Sequence, residues 1–328
     1  MPRIVGLDEK DRKILIELDK NARQADSQIA KKVGLSKQVA NYRIQRLVSE
    51  GFVENFYTIV NVGLLGLNIY YVFLQFENVN KMQEEKILDK LSSLSFTGWV
   101  VSGTGRWDAV VLVFAESTGI FDKRLSEITN LCSEHLHEFN FTTLIGAEHL
   151  GYKFLLDKKI LSSFRQSERS KIAELDKTDR KILEAISQNA RLPITEISEK
   201  TKLPVHVINY RIKNLLGRKV IEGFKPKMNI GKIGLSWYLL LIQFQSVNEE
   251  KKKRFLDFCK THDKIYYVTN TAGYYNCMLD VHVKSAEEFK DVLLELKENF
   301  SDIIKLYESI IIFNEHKISY VPDEIAKN

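Results

Sequence analysis

Apolar residues fall at helical spacing over the first fifty positions and at strand spacing after them. Ile14, Leu15 and Leu18 recur at i, i+1 and i+4 behind Asp8, which predicts a capped first helix reaching about Asn21. A short second helix is predicted from Ser27 to Val33, with Asp26 as its cap. Gly34-Leu35-Ser36 then forms a turn that ends in a good N-cap residue. A third helix is predicted from Lys37 to Glu50 and stops at Gly51. Two helices joined by a short glycine-bearing turn, the second one long, make a helix-turn-helix pattern.

Beyond Gly51 the pattern changes period. Phe52–Val62 and Ile69–Asn78 are rich in aromatic and β-branched residues and read as strands; 81–94 reads as a helix. Strands at Thr97–Val101 and Ala109–Ala115 flank Ser102–Asp108. A helix over Thr118–Ser133 and a strand over Glu138–Ile145 complete the order β-α-β-β-α-β, the ferredoxin-like arrangement.

All of this recurs at an offset of 168 residues. Leu7-Asp8 and Asp11-Arg12-Lys13-Ile14-Leu15 return as Leu175-Asp176 and Asp179-Arg180-Lys181-Ile182-Leu183. Asn41-Tyr42-Arg43-Ile44 returns as Asn209-Tyr210-Arg211-Ile212. Between residues 7 and 47, 19 of 41 positions are identical at that offset. Solenoid repeats run about 20–50 residues, so this is a duplicated two-domain unit. The second copy predicts elements at Trp237–Gln245, 249–262, Ile265–Thr269, Cys277–Val283, 285–299 and Ile303–Phe313. The expected fold is α+β: a helix-turn-helix domain at 1–54, a ferredoxin-like domain at 55–156, and their copies at 171–222 and 223–328. The charged, serine-bearing segment 157–170 joins them as either a helix or a flexible linker.

Composition narrows the class. The chain has 328 residues, 28% charged and 44% hydrophobic, which is globular usage. Cys132, Cys259 and Cys277 form no CxxC and do not recur at the offset. Neither a disulfide framework nor a zinc site is expected, and the setting is read as a reducing cytoplasm. The N-terminus lacks a signal-peptide pattern. The longest apolar stretch, Val62–Phe76, falls short of the ~20 residues of a membrane helix.

Charge is unevenly spread. Residues 1–51 carry 11 basic and 7 acidic groups, a net +4, and residues 171–223 carry the same counts. Residues 52–156 carry 7 basic and 12 acidic groups, a net −5. Positive charge concentrated in the helix-turn-helix copies is the electrostatic footprint of nucleic-acid binding, although it also fits an ordinary solvated surface.

At about 100° per residue, Val39, Ala40, Arg43, Ile44 and Leu47 share the inward half of the third helix. Lys37, Gln38, Asn41, Tyr42 and Gln45 face outward, with Ser36 at the cap and Arg46 at the boundary, suited to a phosphate. Arg43 on the inward side is read either as an ion pair with a first-helix carboxylate such as Asp11 or as a phosphate contact. The second copy presents Val205, His206, Asn209, Tyr210 and Lys213, with Pro204 in place of the Ser36 cap. Its base preference is therefore expected to differ, or its binding to be weaker.

The run Leu7-Asp8 … Asp11-Arg12-Lys13-Ile14-Leu15 … Asn21-Ala22-Arg23 … Gly34-Leu35-Ser36 … Val39 … Arg43-Ile44 … Arg46-Leu47 … Gly51 resembles the Lrp/AsnC family of transcription regulators. Gly66-Leu67 and Thr104-Gly105-Arg106-Trp107-Asp108 are similar to that family's ferredoxin-like effector domain. The resemblance covers nearly the whole chain, twice. It implies winged helix-turn-helix binding of double-stranded DNA. It also implies effector domains that pair sheet to sheet and a small amino-acid effector held between such domains. Gly103, Thr104, Gly105, Arg106 and Asp108, with Gly273 in the second copy, would then lie near the effector. Asn276 stands where Asp108 would hold an ammonium group, which puts effector binding by copy two in doubt. The competing reading of both loops is a glycine-bearing hairpin turn without a ligand. Members usually dimerise as single units, so this chain would form its own pseudo-dimer, open to further assembly. Its recognition helices would be set about 34 Å apart, one helical turn of DNA.

Two other functions compete with this one. Siroheme decarboxylases are similar in domain order, but they would need clustered His and Arg in the second half of each unit. Here His135 and His149 correspond to Ile303 and Lys317, and the first effector domain carries net −5. The chain is therefore expected not to be an enzyme, with no catalytic residue, metal or cofactor. A non-DNA-binding interaction protein is disfavoured by the basic, polar outward helix of copy one.

Overall fold

The computed structural model describes residues 6–155, 164–166, 172–187, 189–245 and 248–322. Copy one contains α1 (Glu9–Lys20), α2 (Asp26–Val33), α3 (Lys37–Ser49), β1 (Val53–Val60), β2 (Asn68–Phe76), α4 (Lys81–Ser93), β3 (Thr97–Gly105), β4 (Ala109–Ala115), α5 (Thr118–Cys132) and β5 (Leu136–His149). The segment β6 (Phe164–Gln166) follows; of the expected linker 157–170, these three residues alone lie among those described. Copy two contains α6 (Lys177–Ser187), α7 (Ile194–Thr201), α8 (Val205–Gly217), β7 (Ile221–Met228), β8 (Ser236–Phe244), α9 (Glu249–Thr261), β9 (Ile265–Gly273), β10 (Cys277–Val283), α10 (Ala286–Phe300) and β11 (Ile304–Ile318).

The helical domains form for local reasons. The Asp8 carboxylate accepts from the Asp11 amide at 2.8 Å while Asp11 accepts from the Asp8 amide at 3.2 Å, a reciprocal box that starts α1. Ile14, Leu15 and Leu18 are fully buried beneath it, each contributing about 2 kcal/mol of transfer free energy. Gly34 ends α2 in the left-handed region at φ 68°, as a glycine does without penalty. The expected Asp26 cap is instead the first residue of α2, whose N-cap is Ala25.

The two copies are joined by their strands. β1 pairs antiparallel with β7, and Tyr57 lies opposite its own counterpart Lys225. Arg23 donates to Ala190 and Leu192 carbonyls, and Arg191 donates to those of Ala22 and Gln24. This reciprocity marks a pseudo-two-fold axis through the ribbon. In the ferredoxin-like domains, β5-β2-β4-β3 is one sheet and β11-β8-β10-β9 the other. β3 pairs with β11, and β5 with β9, so the two sheets close into one eight-stranded antiparallel barrel, with β6 added outside β5.

The barrel refines the expected face-to-face pairing of sheets. It also lengthens four expected strands: β3 runs on to Gly105, β5 to His149, β9 to Gly273 and β11 to Ile318, because each continues along the other copy. Helices α4 and α5 cover one outer face and α9 and α10 the other. The interior holds Tyr71, Phe73, Val101, Val110, Leu112, Leu239, Met278 and Ile310. No helix among the described residues is long and apolar enough to cross a membrane.

Candidate nucleic-acid interface and the barrel cavity

Helix α3 buries a narrower stripe than the helical wheel predicts. Ala40, Ile44 and Leu47 are buried, but Val39 is 41% exposed, which corrects its expected inward placement. Lys37, Gln38, Asn41, Tyr42 and Gln45 are exposed as expected. The Ser36 hydroxyl accepts from the Val39 amide at 3.3 Å and so serves as the N-cap. Asn41 donates to Asp26 at 2.6 Å, and Asp26 is also held by Arg191 from the other copy. Its amide is thereby oriented at the surface.

Both arginines of α3 turn inward onto one carboxylate. Arg43 meets Asp8 at 2.7 Å and Asp11 at 2.8 Å, and Arg46 pairs with Asp11 as well. These bonds hold the Arg43 guanidinium above its usual pKa. The Arg43–Asp11 pair was one of the two readings of that residue. Arg46, expected at the boundary and suited to a phosphate, here clamps α3 onto α1.

In copy two Arg211 repeats the clamp on Asp176 and Asp179, while Asn214 replaces Arg46 and Arg218 reaches Asp179 from the next turn. Val205, His206, Asn209, Tyr210 and Lys213 are exposed. Tyr42 and Tyr210 are each 66% exposed, an unusual condition for a large ring repeated at equivalent positions. Pro204 caps α8 without a side-chain hydrogen bond.

The Gly103–Asp108 segment lies at the far end of the barrel. Gly103 and Gly105 sit in β3 against β11, where a Cβ would come within 2.1 Å of the Ile311 carbonyl oxygen and 2.2 Å of that of Ser309. Gly273, the counterpart of Gly105, lies on the β5–β9 seam against Phe141 and Thr142. Close strand approach therefore accounts for these glycines. Thr104 faces Ile311 across the same seam. Arg106 donates to Gln75 at 2.8 Å and Glu138 at 2.6 Å and covers the Trp107 ring. Asp108 accepts from the Phe76 amide at 2.7 Å, and Asn276 accepts from the Phe244 amide at the same distance. The two residues perform one structural task, so their difference is no loss of that task.

Sequence reasoning missed a second feature. At the barrel mouth beneath the β1–β7 ribbon is a cavity of about 90 Å³ lined by tyrosines, Trp99, Trp237, His149, Asp280, His282 and Glu315. Burial depresses the His282 imidazole to about 3 and pushes the Asp280 carboxyl up to about 7. Burial likewise holds His149 well below the ordinary histidine value. Trp237 donates to Asp280 at 2.7 Å, and Trp99 donates to Glu315 at 2.6 Å. Lys227 joins Glu315 at 3.2 Å and Glu54 at 3.0 Å, and these two carboxylates hold its ammonium above the usual value despite burial. Searching for histidines duplicated at the repeat offset could not find this site, because His149 and His282 come from different copies and non-equivalent positions.

Residues 7–54 and 175–222 match a family model described as winged helix-turn-helix DNA-binding. An uncharacterized helix-turn-helix-type transcriptional regulator of Pyrococcus horikoshii is 30% identical over 118 residues, 36% of this chain and 77% of that protein. One from Pyrococcus furiosus is 32% identical over 110 residues, 33% of this chain and 73% of its own. Among solved structures, the siroheme decarboxylase NirDL superposes with a TM-score of 0.64 at 14% identity, covering 98% of this chain and 96% of its own.

That last likeness overturns the expectation that the chain is not an enzyme, because the whole tandem architecture is also one on which an enzyme is built. Histidines that do not repeat within each copy are no ground for excluding an enzyme, because the fold brings residues of both copies to one cavity. Lys225 and Lys227, the lysines at the ribbon, are ion-paired within the protein and so offer no unpaired ammonium to the carboxylates of a tetrapyrrole.

Proposed function

The chain belongs to the family of winged helix-turn-helix transcriptional regulators, in which its motifs follow the Lrp/AsnC pattern, and from that premise we propose that it is a sequence-specific DNA-binding regulator acting as an intrachain pseudo-dimer. The observation that carries this reading is the paired exposure of Asn41-Tyr42 and Asn209-Tyr210 on α3 and α8. Those faces combine amide groups that read base edges with phenols that reach phosphates. Lys37 and Gln45 in copy one and His206 and Lys213 in copy two flank them.

Arg43, Arg46 and Arg211 act indirectly in this reading, by fixing the recognition helices on α1 and α6. The two helices read two half-sites, and their different faces make those half-sites unequal. A fluorescence-anisotropy titration of a duplex pool against salt tests this. Neutralised phosphates release counterions, so affinity is expected to fall steeply as salt rises. Salt-independent or absent binding contradicts the reading.

A further inference from the structure

We infer that the barrel cavity is a binding site for one small, uncharged, planar heteroaromatic ring per chain. Four observations lead there. The first is size. An apolar cavity of about 150 Å³ takes up benzene, and a water occupies about 30 Å³. A cavity of about 90 Å³ therefore has room for a five-membered ring.

The second is unmet hydrogen bonding. His149 and His282 are 3% and 4% exposed, and Nδ1 of each is buried without a partner. The Tyr266 hydroxyl on the same wall is likewise unpaired; buried polar atoms are nearly always paired, so these orphans call for an occupant that donates and accepts hydrogen bonds. The third is charge. The Lys227 ammonium is already paired with Glu54 and Glu315, and burial disfavours the charged forms of His149, His282 and Asp280. A charged occupant would be desolvated beside groups that are already paired or shifted towards neutrality, which favours a neutral one. The walls suit a flat ring: Tyr152 stacks on Tyr266 at 4.2 Å, and Tyr266 stacks on His282 at 5.2 Å.

The fourth is broken symmetry. Asp280, His282, Glu315 and Tyr266 occupy positions where copy one has Leu112, Phe114, Ala147 and Gly98. Conversely, His149 corresponds to Lys317. The polar wall thus exists once, straddling the pseudo-two-fold axis. A homodimer of single units would carry such groups twice or not at all.

The consequence for regulation rests on the function proposed above. Tyr57 of β1 and Lys227 and Met228 of β7 also line the cavity, so an occupant touches the ribbon that carries both helix-turn-helix domains.

The test uses the full chain and pyrazole, a neutral five-membered azole, with acetate and guanidinium as charged molecules of similar size. Histidine side-chain ¹⁵N spectra without DNA are expected to show saturable pyrazole shifts at His149 and His282, one equivalent per chain, and none with either ion. His282→Phe restores the residue found at the equivalent Phe114 and should weaken pyrazole at least tenfold, with cooperative thermal unfolding retained. Because the spectra of the unaltered protein are themselves diagnostic, a His282→Phe chain that fails to fold leaves the test intact. Absence of shifts, equal shifts with acetate, or two equivalents per chain would overturn the inference. So would a histidine-ligated absorbance change on adding an iron tetrapyrrole, which would assign the cavity to a larger ligand. Pyrazole binding in a chain that ignores DNA would sustain the site and remove only its regulatory consequence.

Discussion

Trp107 Nε1 donates to the Tyr275 hydroxyl at 2.6 Å, and the two residues are the same position of the repeat, 168 apart. Both are fully buried. The pseudo-two-fold axis therefore passes between them at one end of the barrel, as it passes between Tyr57 and Lys225 in the ribbon. Tyr275 in turn donates to Glu308. Tyr275→Phe removes both bonds and leaves a buried indole N–H unpaired. Such a group costs about 1–3 kcal/mol, so the urea midpoint should fall accordingly; an unchanged midpoint would show that this contact does not secure the barrel end.

The Lys225 ammonium is fully buried and bonded to Asp19 at 2.8 Å, while the equivalent positions in the other half are Tyr57 and Ser187. Removing one member of a buried ion pair costs about 3–5 kcal/mol. Lys225→Met should show that loss, and Lys225→Met with Asp19→Ser should recover much of it. Strictly additive losses in a double-mutant cycle would count against the pair.

Two left-handed cap positions changed between the copies. Gly34 and Gly51 sit at φ 68° and 73°, and their counterparts Lys202 and Lys219 sit at 59° and 60°. A side chain there costs about 1–2 kcal/mol relative to glycine. Lys202→Gly and Lys219→Gly should each raise thermal stability. Both lysines are exposed beside α8, so each change should also make the salt dependence of DNA binding shallower by about one phosphate contact. A gain in stability with an unaltered salt slope would remove these lysines from the interface.

Asp280 titrates at about 7 in the fold against 3.8 outside it, because of burial. A raised folded value means that its stabilising contribution is complete below pH 3.8 and is lost as pH climbs through 7. His282 runs the other way: its value of about 3 is depressed, so its contribution is complete above pH 6.5 and lost as pH falls towards 3. Asp280→Asn should leave stability near pH 4 little changed and add on the order of 3 kcal/mol by pH 8. Chemical denaturation at the two pH values checks this, and equal differences at both would contradict it.

Much of this was legible in the chain. The switch from helical to strand period located the elements of both copies to within a few residues, and the offset of 168 revealed the pseudo-dimer. What stayed hidden was non-local. No local pattern reports that β3 continues along β11 or β5 along β9, so the strands read short and the glycines' place on the two seams did not show. The helical wheel gives the direction of a buried stripe but not its width, hence Val39. Lys225 reads as a surface lysine in Lys225-Pro226-Lys227 because its partner Asp19 lies 206 residues away. The cavity escaped because its polar residues are those that do not repeat.

Selection of bound sites from random duplex DNA decides whether the chain reads two unequal half-sites. One chain should bind per duplex, on a salt-sensitive enriched site with two unequal half-sites about 34 Å apart, one helical turn. Gln38→Ala with Asn41→Ala should blur the stronger half-site more than His206→Ala with Asn209→Ala blurs the other. No enrichment, or a perfectly symmetric palindrome blurred equally by both pairs of substitutions, would contradict that reading.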